Sequence, residues 1–221
     1  MALIHSNKLP FLLKQAVPNL TKLYYSGNKS LLEGRHISFV GTRDITEYGK
    51  LVIRQLLCDS LSKTNIVVVS GLARGVDAYV HKICLERDIK AIAIVPGAIE
   101  SAIPKCNLKI FKQLKKHGLI LAEYPEGTVV RKEMFVLRNR LVAAISEATI
   151  VIEAGIKSGS LITANLALEY NRDIYVIPGN IDSEVSQGCN LLAKHGAGVV
   201  TGIEDFKEIL GMHEEQVAIG I

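Results

Sequence analysis

The chain has 221 residues, a net charge of +4, and 48% hydrophobic against 22% charged residues, a balance that excludes a disordered protein. This length is sufficient for one α/β domain with a substantial core. No apolar run is long enough to cross a membrane, and residues 1–14 lack the apolar centre of a signal peptide, so we expect a cytoplasmic protein that does not associate with membranes.

The sequence divides into an N-terminal extension, a repetitive region and a tail. Residues 1–33 place prolines and glycine between short apolar runs, which favours short helices and turns packed against the following domain. Residues 34–210 alternate strands and helices, and residues 211–221 form a short tail. Strands are predicted at residues 36–41, 65–71, 91–97, 118–123, 148–153 and 173–179. Helices are predicted at about residues 47–61, 76–87 and 105–117, before residue 148, up to residue 170, and at 189–195.

This alternation predicts an α/β fold, in which a doubly wound, mostly parallel, Rossmann-like sheet of about six or seven strands carries helices on both faces. Cys58, Cys84, Cys106 and Cys189 are scattered and form no CxxC pair, and no histidine stands at a ligand spacing from them. We therefore expect reduced thiols, no metal and no cofactor.

Residues 135–164 bring two anion-attracting features to one edge of the predicted sheet. After the buried strand at residues 148–153, the sequence KSGS at 157–160 supplies a turn and a hydroxyl N-cap, so the free N–H groups of a helix start face the end of the strand. In the preceding helix, Arg138 and Arg140 flank Asn139, and we expect both guanidinium groups to point toward the same edge.

The loops at this edge also contain glycines and cations. Four predicted strands end in glycine, at Gly41, Gly71, Gly97 and Gly179, and ligands of open parallel sheets bind outside such strand ends. Further cations are contributed by Arg43, Arg74 and Lys157. A dinucleotide site needs one glycine fingerprint and one acidic residue, whereas several cations in a row favour a nucleic-acid strand.

Five segments together resemble the DprA/Smf DNA-processing family, over roughly residues 20–202. They are FVGTRDITEYG, SGLARGVDAYVH, FVLRNRLVAAIS, VIEAGIKSGSLITANLA and VIPGNIDSEVSQGCNLLAKHGA, in the order and spacing of that family. The resemblance implies an extended Rossmann fold that binds single-stranded DNA without sequence preference, dimerises, and hands the strand to the RecA recombinase during natural transformation. Val80, Ile103 and Asp44 depart from the family pattern, and the tail after Gly211 is too short for the winged-helix domain of many relatives.

The cations and the family motifs give a set of predicted DNA-binding residues, with no catalytic and no metal-binding residue among them. Lys132 and Phe135 are predicted to clamp one nucleotide, the base stacking on the ring. The predicted residues are Gly41, Arg43, Ser70, Gly71, Arg74, Gly75, Lys132, Phe135, Arg138, Asn139, Arg140, Lys157, Ser158, Gly159, Ser160, Gly188 and Asn190.

Several of these residues have a structural alternative. Arg138 and Arg140 could instead form ion pairs, and the candidate partners are Glu123, Glu147 and Glu153. Phe135 could be the hydrophobic staple of its helix rather than a stacking platform. The lysines at 105, 109, 112 and 116 recur at helical spacing, which favours a solvated helix face over an auxiliary DNA track.

Three enzymatic interpretations are weaker than that of a binding protein. Asp77 and His81 lie one helical turn apart, but a carboxylate near a helix start more often stabilises free N–H groups than acts in catalysis. A nucleotide-processing enzyme similar to the cytokinin-activating phosphoribohydrolases would need a PGGxGTxxE segment. The segments at 96–98 and 178–180 lack its second glycine and its glutamate. The GTRDIT sequence is also not the GxGxxG of a NAD-dependent enzyme.

Overall fold

A nine-stranded sheet forms the centre of the computed structural model, which describes residues 2–101 and 103–212. Its spatial order within these residues is β1-β2-β6-β5-β4-β3-β7-β8-β9. The strands are β1 (Ala2–His5), β2 (Lys22–Gly27), β3 (Arg35–Val40), β4 (Ile66–Ser70), β5 (Ala91–Val95), β6 (Leu119–Ala122), β7 (Ala148–Val151), β8 (Asp173–Val176) and β9 (Gly198–Val199).

In the spatial order, all seven strands from β6 through β5, β4, β3, β7 and β8 to β9 are parallel. The direction in which the chain adds strands reverses between β3 and β7. From β3 the chain proceeds outward through β4, β5 and β6, and it then returns to place β7 on the other side of β3. From β7 it continues outward through β8 and β9. This reversal is the topological switch point of a doubly wound sheet, where the loops leaving two neighbouring strands diverge and open a crevice.

Helices cover both faces of the sheet, as the sequence predicts. The first core lies between the sheet and α2, α3, α4 and α8, and the second lies between the sheet and α1, α5, α6 and α7. None of the described helices is long and apolar enough to cross a membrane. The helices are α1 (Phe11–Ala16), α2 (Glu47–Leu56), α3 (Val76–Glu86), α4 (Leu108–His117), α5 (Lys132–Ile145), α6 (Gly159–Glu169), α7 (Gln187–Lys194) and α8 (Ile203–Ile209).

The central strands are buried on both faces. All five residues of β4 and all five of β5 are buried, and their sequences are continuous apolar runs rather than alternating ones. This pattern is typical of parallel strands that are covered by helices on both sides. It explains why these strands could be placed from the sequence.

The N-terminal region differs from the prediction of helices and turns. Besides α1 and two short 3-10 segments, it contains β1 and β2, which pair antiparallel with each other, and β2 pairs antiparallel with β6. The prediction missed them because β2 reads KLYYSG and β1 ALIH, which are short and mixed in polarity.

Two further expectations need correction. The sheet has nine strands rather than six or seven, because β1, β2 and the two-residue β9 add to the six predicted strands. The helix predicted at 47–61 ends at Leu56, and a separate 3-10 segment, Asp59–Lys63, follows it. Most of the predicted tail, residues 213–221, lies outside the described residues.

Candidate nucleic-acid interface

A cleft of about 570 Å³ opens at the carboxyl ends of β3 and β7. We call it the switch-point cleft, and residues 40–44, 155, 157–160 and 184–185 line it together with parts of α5 and α6. The cleft therefore lies where the strand order reverses, as expected for a ligand site in an open parallel sheet.

Arg43 lies on a loop that is tied to the end of β7 by Glu153. The Thr42 N–H donates a hydrogen bond to the Glu153 carbonyl at 2.7 Å. The buried Glu153 carboxylate accepts hydrogen bonds from the Thr46 N–H at 3.0 Å and from the Thr46 hydroxyl. Thr46 is in turn the N-cap of α2, since its hydroxyl accepts from the Gly49 N–H at 3.2 Å. Arg43 is thus exposed on a loop that is fixed at both ends.

Arg74 and Gly75 lie beside the cleft, in the loop between β4 and α3. Gly75 has a φ of +85°, and a side chain there would meet the backbone of Thr42 and Arg43, so the position requires glycine. Arg74 forms an ion pair with Asp44 at 2.7 Å and donates to the Arg43 carbonyl at 3.2 Å. Exposed pairs contribute only about 0–1 kcal/mol, so this pair does not prevent Arg74 from contacting an anion.

The start of α6 forms one wall of the cleft. Ser158 is the N-cap, and its hydroxyl accepts a hydrogen bond from the Ser160 N–H at 3.3 Å. Gly159 is exposed, and a Cβ at this position would have nothing within 4 Å. Lys157 is also exposed. The helix therefore presents free N–H groups, its positive dipole end and a lysine to one open space, which together attract anions.

Arg138 differs from its prediction as a rim residue, because its guanidinium is buried in the floor of the cleft. It is 7% exposed, and its Nη1 atom lies 3.8 Å from the buried Asp77 carboxylate. It also lies directly on the backbone of Gly71, where a Cβ would overlap the guanidinium. Burial lowers the pKa of Arg138 and raises that of Asp77, and the attraction between the two charges opposes both shifts.

Arg140 points away from the cleft. Its guanidinium forms an ion pair with Glu123 at 2.5 Å, which confirms the structural alternative for this residue. Of the other candidate partners, Glu147 pairs with Arg35 at 2.9 Å. The prediction that Arg138 and Arg140 reach the same edge is therefore wrong, because residues two positions apart on a helix face different directions.

Phe135 lies in the cleft with its ring partly exposed. Lys132 is exposed in the first turn of α5, outside the cleft lining. Asn139 connects α5 to α6, since its Nδ2 atom donates a weak hydrogen bond to the Gly159 carbonyl at 3.4 Å. Phe135 therefore has the partial exposure to the cleft that base stacking requires.

Three other predicted residues have structural contacts outside the cleft lining. Ser70 is buried and its hydroxyl donates to a carbonyl of β3 at 2.7 Å. The Gly188 N–H donates to the Ala154 carbonyl at 2.7 Å. Asn190 exchanges hydrogen bonds with the backbone of Gly179 at 3.0 and 3.3 Å. These contacts hold the surrounding loops in place.

The structure thus brings together about half of the predicted residues. Those that line the cleft are Gly41, Arg43, Phe135, Arg138, Asn139, Lys157, Ser158, Gly159 and Ser160. Those outside its lining are Ser70, Gly71, Arg74, Gly75, Lys132, Arg140, Gly188 and Asn190. Whether each contacts DNA stays a prediction.

The apolar and acidic parts of the lining were not predicted from the sequence. Val136 and Ile162 lie in the cleft with Phe135 and are 48% and 40% exposed. Helical spacing could have identified Ile162, because it stands three residues after Gly159 on α6. Glu184 enters the cleft from the loop after β8, and no local signal in the sequence indicates this position.

Asp77 and His81 do not form an acid-base pair. Asp77 accepts a hydrogen bond from the Ala73 N–H at 3.3 Å, in agreement with a capping role. His81 is fully buried, which lowers the pKa of its imidazole to about 3 and keeps it neutral. Across residues 2–101 and 103–212, no cluster of three or more histidine, cysteine, aspartate or glutamate residues is placed to hold a metal ion.

Comparison with known proteins gives consistent matches. The family described as DNA recombination-mediator protein A matches residues 1–211. The DNA processing protein DprA of Bacillus subtilis is 36% identical over 208 residues, which cover 94% of this chain and 70% of that protein. The curated relatives that match are covered over 45% to 70% of their own lengths.

Two solved structures have closely similar folds. The X-ray structure of DNA processing protein A from Streptococcus pneumoniae superimposes with a TM-score of 0.88 at 32% identity, covering 96% of this chain and 74% of that chain. DNA processing protein A from Helicobacter pylori, solved for its single-stranded DNA binding mode, has a TM-score of 0.85 at 29% identity. The superposition covers 97% of this chain and 98% of the Helicobacter pylori chain.

Proposed function

Because the chain belongs to the DprA/Smf family of DNA-processing proteins, we propose that it binds single-stranded DNA in the switch-point cleft without sequence preference. The observation that carries the proposal is the convergence of Arg43, Lys157 and the start of α6 on a single cleft that also contains a partly exposed phenylalanine. The cationic groups suit phosphates, and the ring suits a base.

The lack of sequence preference follows from the kinds of contact that the cleft offers. Arginine and lysine side chains and free backbone N–H groups contact phosphates, which carry no base information. Stacking on an aromatic ring tolerates any base, because every base has a π face. The relative from Helicobacter pylori, whose structure addresses its single-stranded DNA binding mode, supports the same assignment for this chain.

The proposal describes a binding protein rather than an enzyme. In the described part of the chain, His81 is buried and neutral, and the Glu153 carboxylate is occupied in capping α2. Neither group is therefore presented to a nucleotide as a general base. The alternative of a nucleotide-processing enzyme would require such a group next to the glycosidic bond, which is the bond that breaks when free base is released.

The proposal extends to the cellular role that the family resemblance implies. A homodimer in the cytoplasm would hold one incoming strand at two clefts, protect it, and hand it to the RecA recombinase during natural transformation. Two weak sites on one strand gain avidity, because binding at the second site becomes intramolecular.

Titration of a labelled dT oligomer against a duplex of equal length tests this function. We expect tighter binding to the single strand, equal binding to mixed sequences, and affinity that falls steeply with salt, since each phosphate contact releases counterions. Equal affinity for the duplex would contradict the proposal. Release of free base from nucleoside monophosphates would instead support the enzyme.

A further inference from the structure

The excess of basic over acidic residues in this chain lies in one segment. Residues 101–118 contain five lysines and neither aspartate nor glutamate, so they carry +5 while the whole chain carries +4. The other residues together therefore sum to −1. Charge placement, rather than net charge, is what indicates a polyanion partner.

Most of these lysines form a stripe along α4. We define the α4 lysine stripe as Lys109, Lys112 and Lys116, which are all exposed and stand three and four positions apart on one helix face. The opposite face packs into the first core. Lys115 lies beside the stripe and is paired with Glu100 at 2.6 Å.

The stripe begins next to the switch-point cleft. Immediately before α4, the Asn107 side chain donates hydrogen bonds to the carbonyls of Leu72 at 3.0 Å and of Ala73 at 3.2 Å. Ala73 lines the cleft, and the neighbouring Arg74 is exposed beside it. Lys105, also exposed, precedes the stripe along the chain by one helical turn. Cations therefore follow one another from the cleft onto α4.

We infer that the α4 lysine stripe is a second track for the same single strand, and that it contacts phosphates beyond those held in the switch-point cleft. This inference rests on the proposed function. The stripe spans about 10 Å of helix, at about 1.5 Å per residue. Like charges at these spacings destabilise a helix, so binding of a polyanion relieves a repulsion that is built into α4.

A nucleic-acid strand fits this surface better than a membrane does. A helix that binds lipid inserts its own apolar face into the bilayer. In α4 that face includes Phe111 and Leu114, both buried against the sheet and therefore unavailable. A strand that leaves the cleft needs only further phosphate contacts, which exposed lysines provide.

The test replaces all three lysines of the stripe, in the full chain, by Lys109→Gln, Lys112→Gln and Lys116→Gln. The matched control changes the same number of charges on the opposite face of the sheet, with Lys8→Gln, Lys14→Gln and Lys194→Gln. Each protein is titrated with dT oligomers of about eight and about thirty nucleotides over a range of salt, because a short strand fills only a cleft-sized site.

For the long oligomer, we expect the stripe variant to lower the salt slope by about 2, since each of three contacts contributes about 0.7. When the salt concentration rises about fourfold, the loss of affinity of the stripe variant should be about twentyfold smaller than that of the wild type. Binding of the short oligomer and both slopes of the control variant should stay at the wild-type values.

The outcomes separate this inference from the proposed function. If the wild type binds neither oligomer, the proposed function fails and the stripe inference fails with it. If the wild type binds both and the stripe variant matches the control, only the second track is overturned, and an acidic protein becomes the better partner for the stripe. Equal weakening of both oligomers would also overturn it, because the stripe would then belong to the primary site.

Discussion

The two arginines of the cleft have different surroundings. Arg43 is exposed on a loop that Glu153 fixes. Its guanidinium is therefore hydrated and accessible, and it can contact a phosphate directly. Arg138 is already desolvated, lies on Gly71 and is compensated by Asp77. At the scale of single residues, Arg43 is therefore the better candidate for direct contact with a phosphate.

Arg43→Ala should weaken single-strand binding to a similar degree for every sequence. It should also lower the salt slope by about 0.7, the contribution of one phosphate contact on a single strand. Fluorescence titration at several salt concentrations measures both quantities. Lys14→Ala, which removes an exposed cation from α1 on the opposite face, is the control. An unchanged slope for Arg43→Ala would remove this residue from the interface.

Phe135→Ala separates base stacking from helix stabilisation. If a base stacks on the ring, the variant should lose about 1–3 kcal/mol of binding free energy with little change in its melting temperature. Phe135→Leu is the matched variant, since it keeps apolar volume but has no ring, and it should bind nearly as weakly. A melting temperature that drops for alanine, with normal binding by the leucine variant, would identify a staple residue instead.

His81 makes the stability of the fold depend on pH. The unfolded imidazole binds a proton below pH 6.5, whereas the buried one stays neutral down to about 3. The free energy of unfolding should therefore fall as the pH drops through this window, by about 1.4 kcal/mol per pH unit from this group.

Urea denaturation of the wild type and of His81→Leu between about pH 4 and pH 7 measures this effect. The variant should lack the His81 contribution, a difference of about 2 kcal/mol at about pH 5 once the curves are aligned at neutral pH. The exposed His117→Leu serves as the control. Parallel curves for the wild type and His81→Leu would show that burial does not suppress this protonation.

At the scale of elements, the cleft depends on how α5 and α6 meet. These two helices pack together, and the Asn139 side chain reaches the first residue of α6. The start of α6 therefore faces α5 across the cleft, with Phe135 on one side and the free N–H groups on the other. An anion at the α6 start would lie beside an aromatic ring, which is the arrangement that one nucleotide requires.

Gly159→Asp should abolish binding without unfolding the chain. The new Cβ has open space, and a carboxylate in the first turn of α6 stabilises the helix, yet the charge would repel a phosphate at that position. Gly159→Ala adds the Cβ without the charge and should bind like the wild type. Circular dichroism tests whether both variants are folded, and titration with single-stranded DNA measures their affinities. A folded Gly159→Asp that binds normally would contradict the assignment.

The sequence predicts those elements whose identity depends on local pattern. The strands β4 to β7 could be placed because each is a short, fully buried run of mostly apolar residues followed by a loop and a helix, and β3 and β8 because they fit the same alternation. The start of α6 could be placed from its cap residues. Helix phase determines the orientations of Arg138 and Arg140. The contact of Glu184 with the cleft depends on pairing between distant segments. A local pattern does not contain that information.

At the scale of the whole molecule, the sheet places all the cationic loops at one end. In a parallel sheet every strand points the same way, so the loops after β3, β4 and β7 share one edge. A strand held by one chain therefore meets the cationic loops at a single edge. A second copy on the same strand would raise the apparent affinity through effective concentration.

Light scattering of the purified protein should give about twice the monomer mass if the protein is a homodimer, as the family resemblance implies. The dimer should bind a long oligomer more tightly than a short one, because two clefts can engage the same strand. Measurement across a range of protein concentrations separates a stable dimer from weak association. A monomer at every concentration, with or without DNA, would exclude this state.

The strand β2 has a consequence for how the molecule avoids aggregation through an open strand edge. All four residues of β6 are buried, and without a neighbour on its outer side β6 would expose a row of unpaired N–H and C=O groups on an apolar strand. Such an edge is a template for intermolecular β pairing and aggregation. Because β2 closes it and the short, largely exposed β1 follows, residues 2–27 protect the β6 side of the sheet from such pairing.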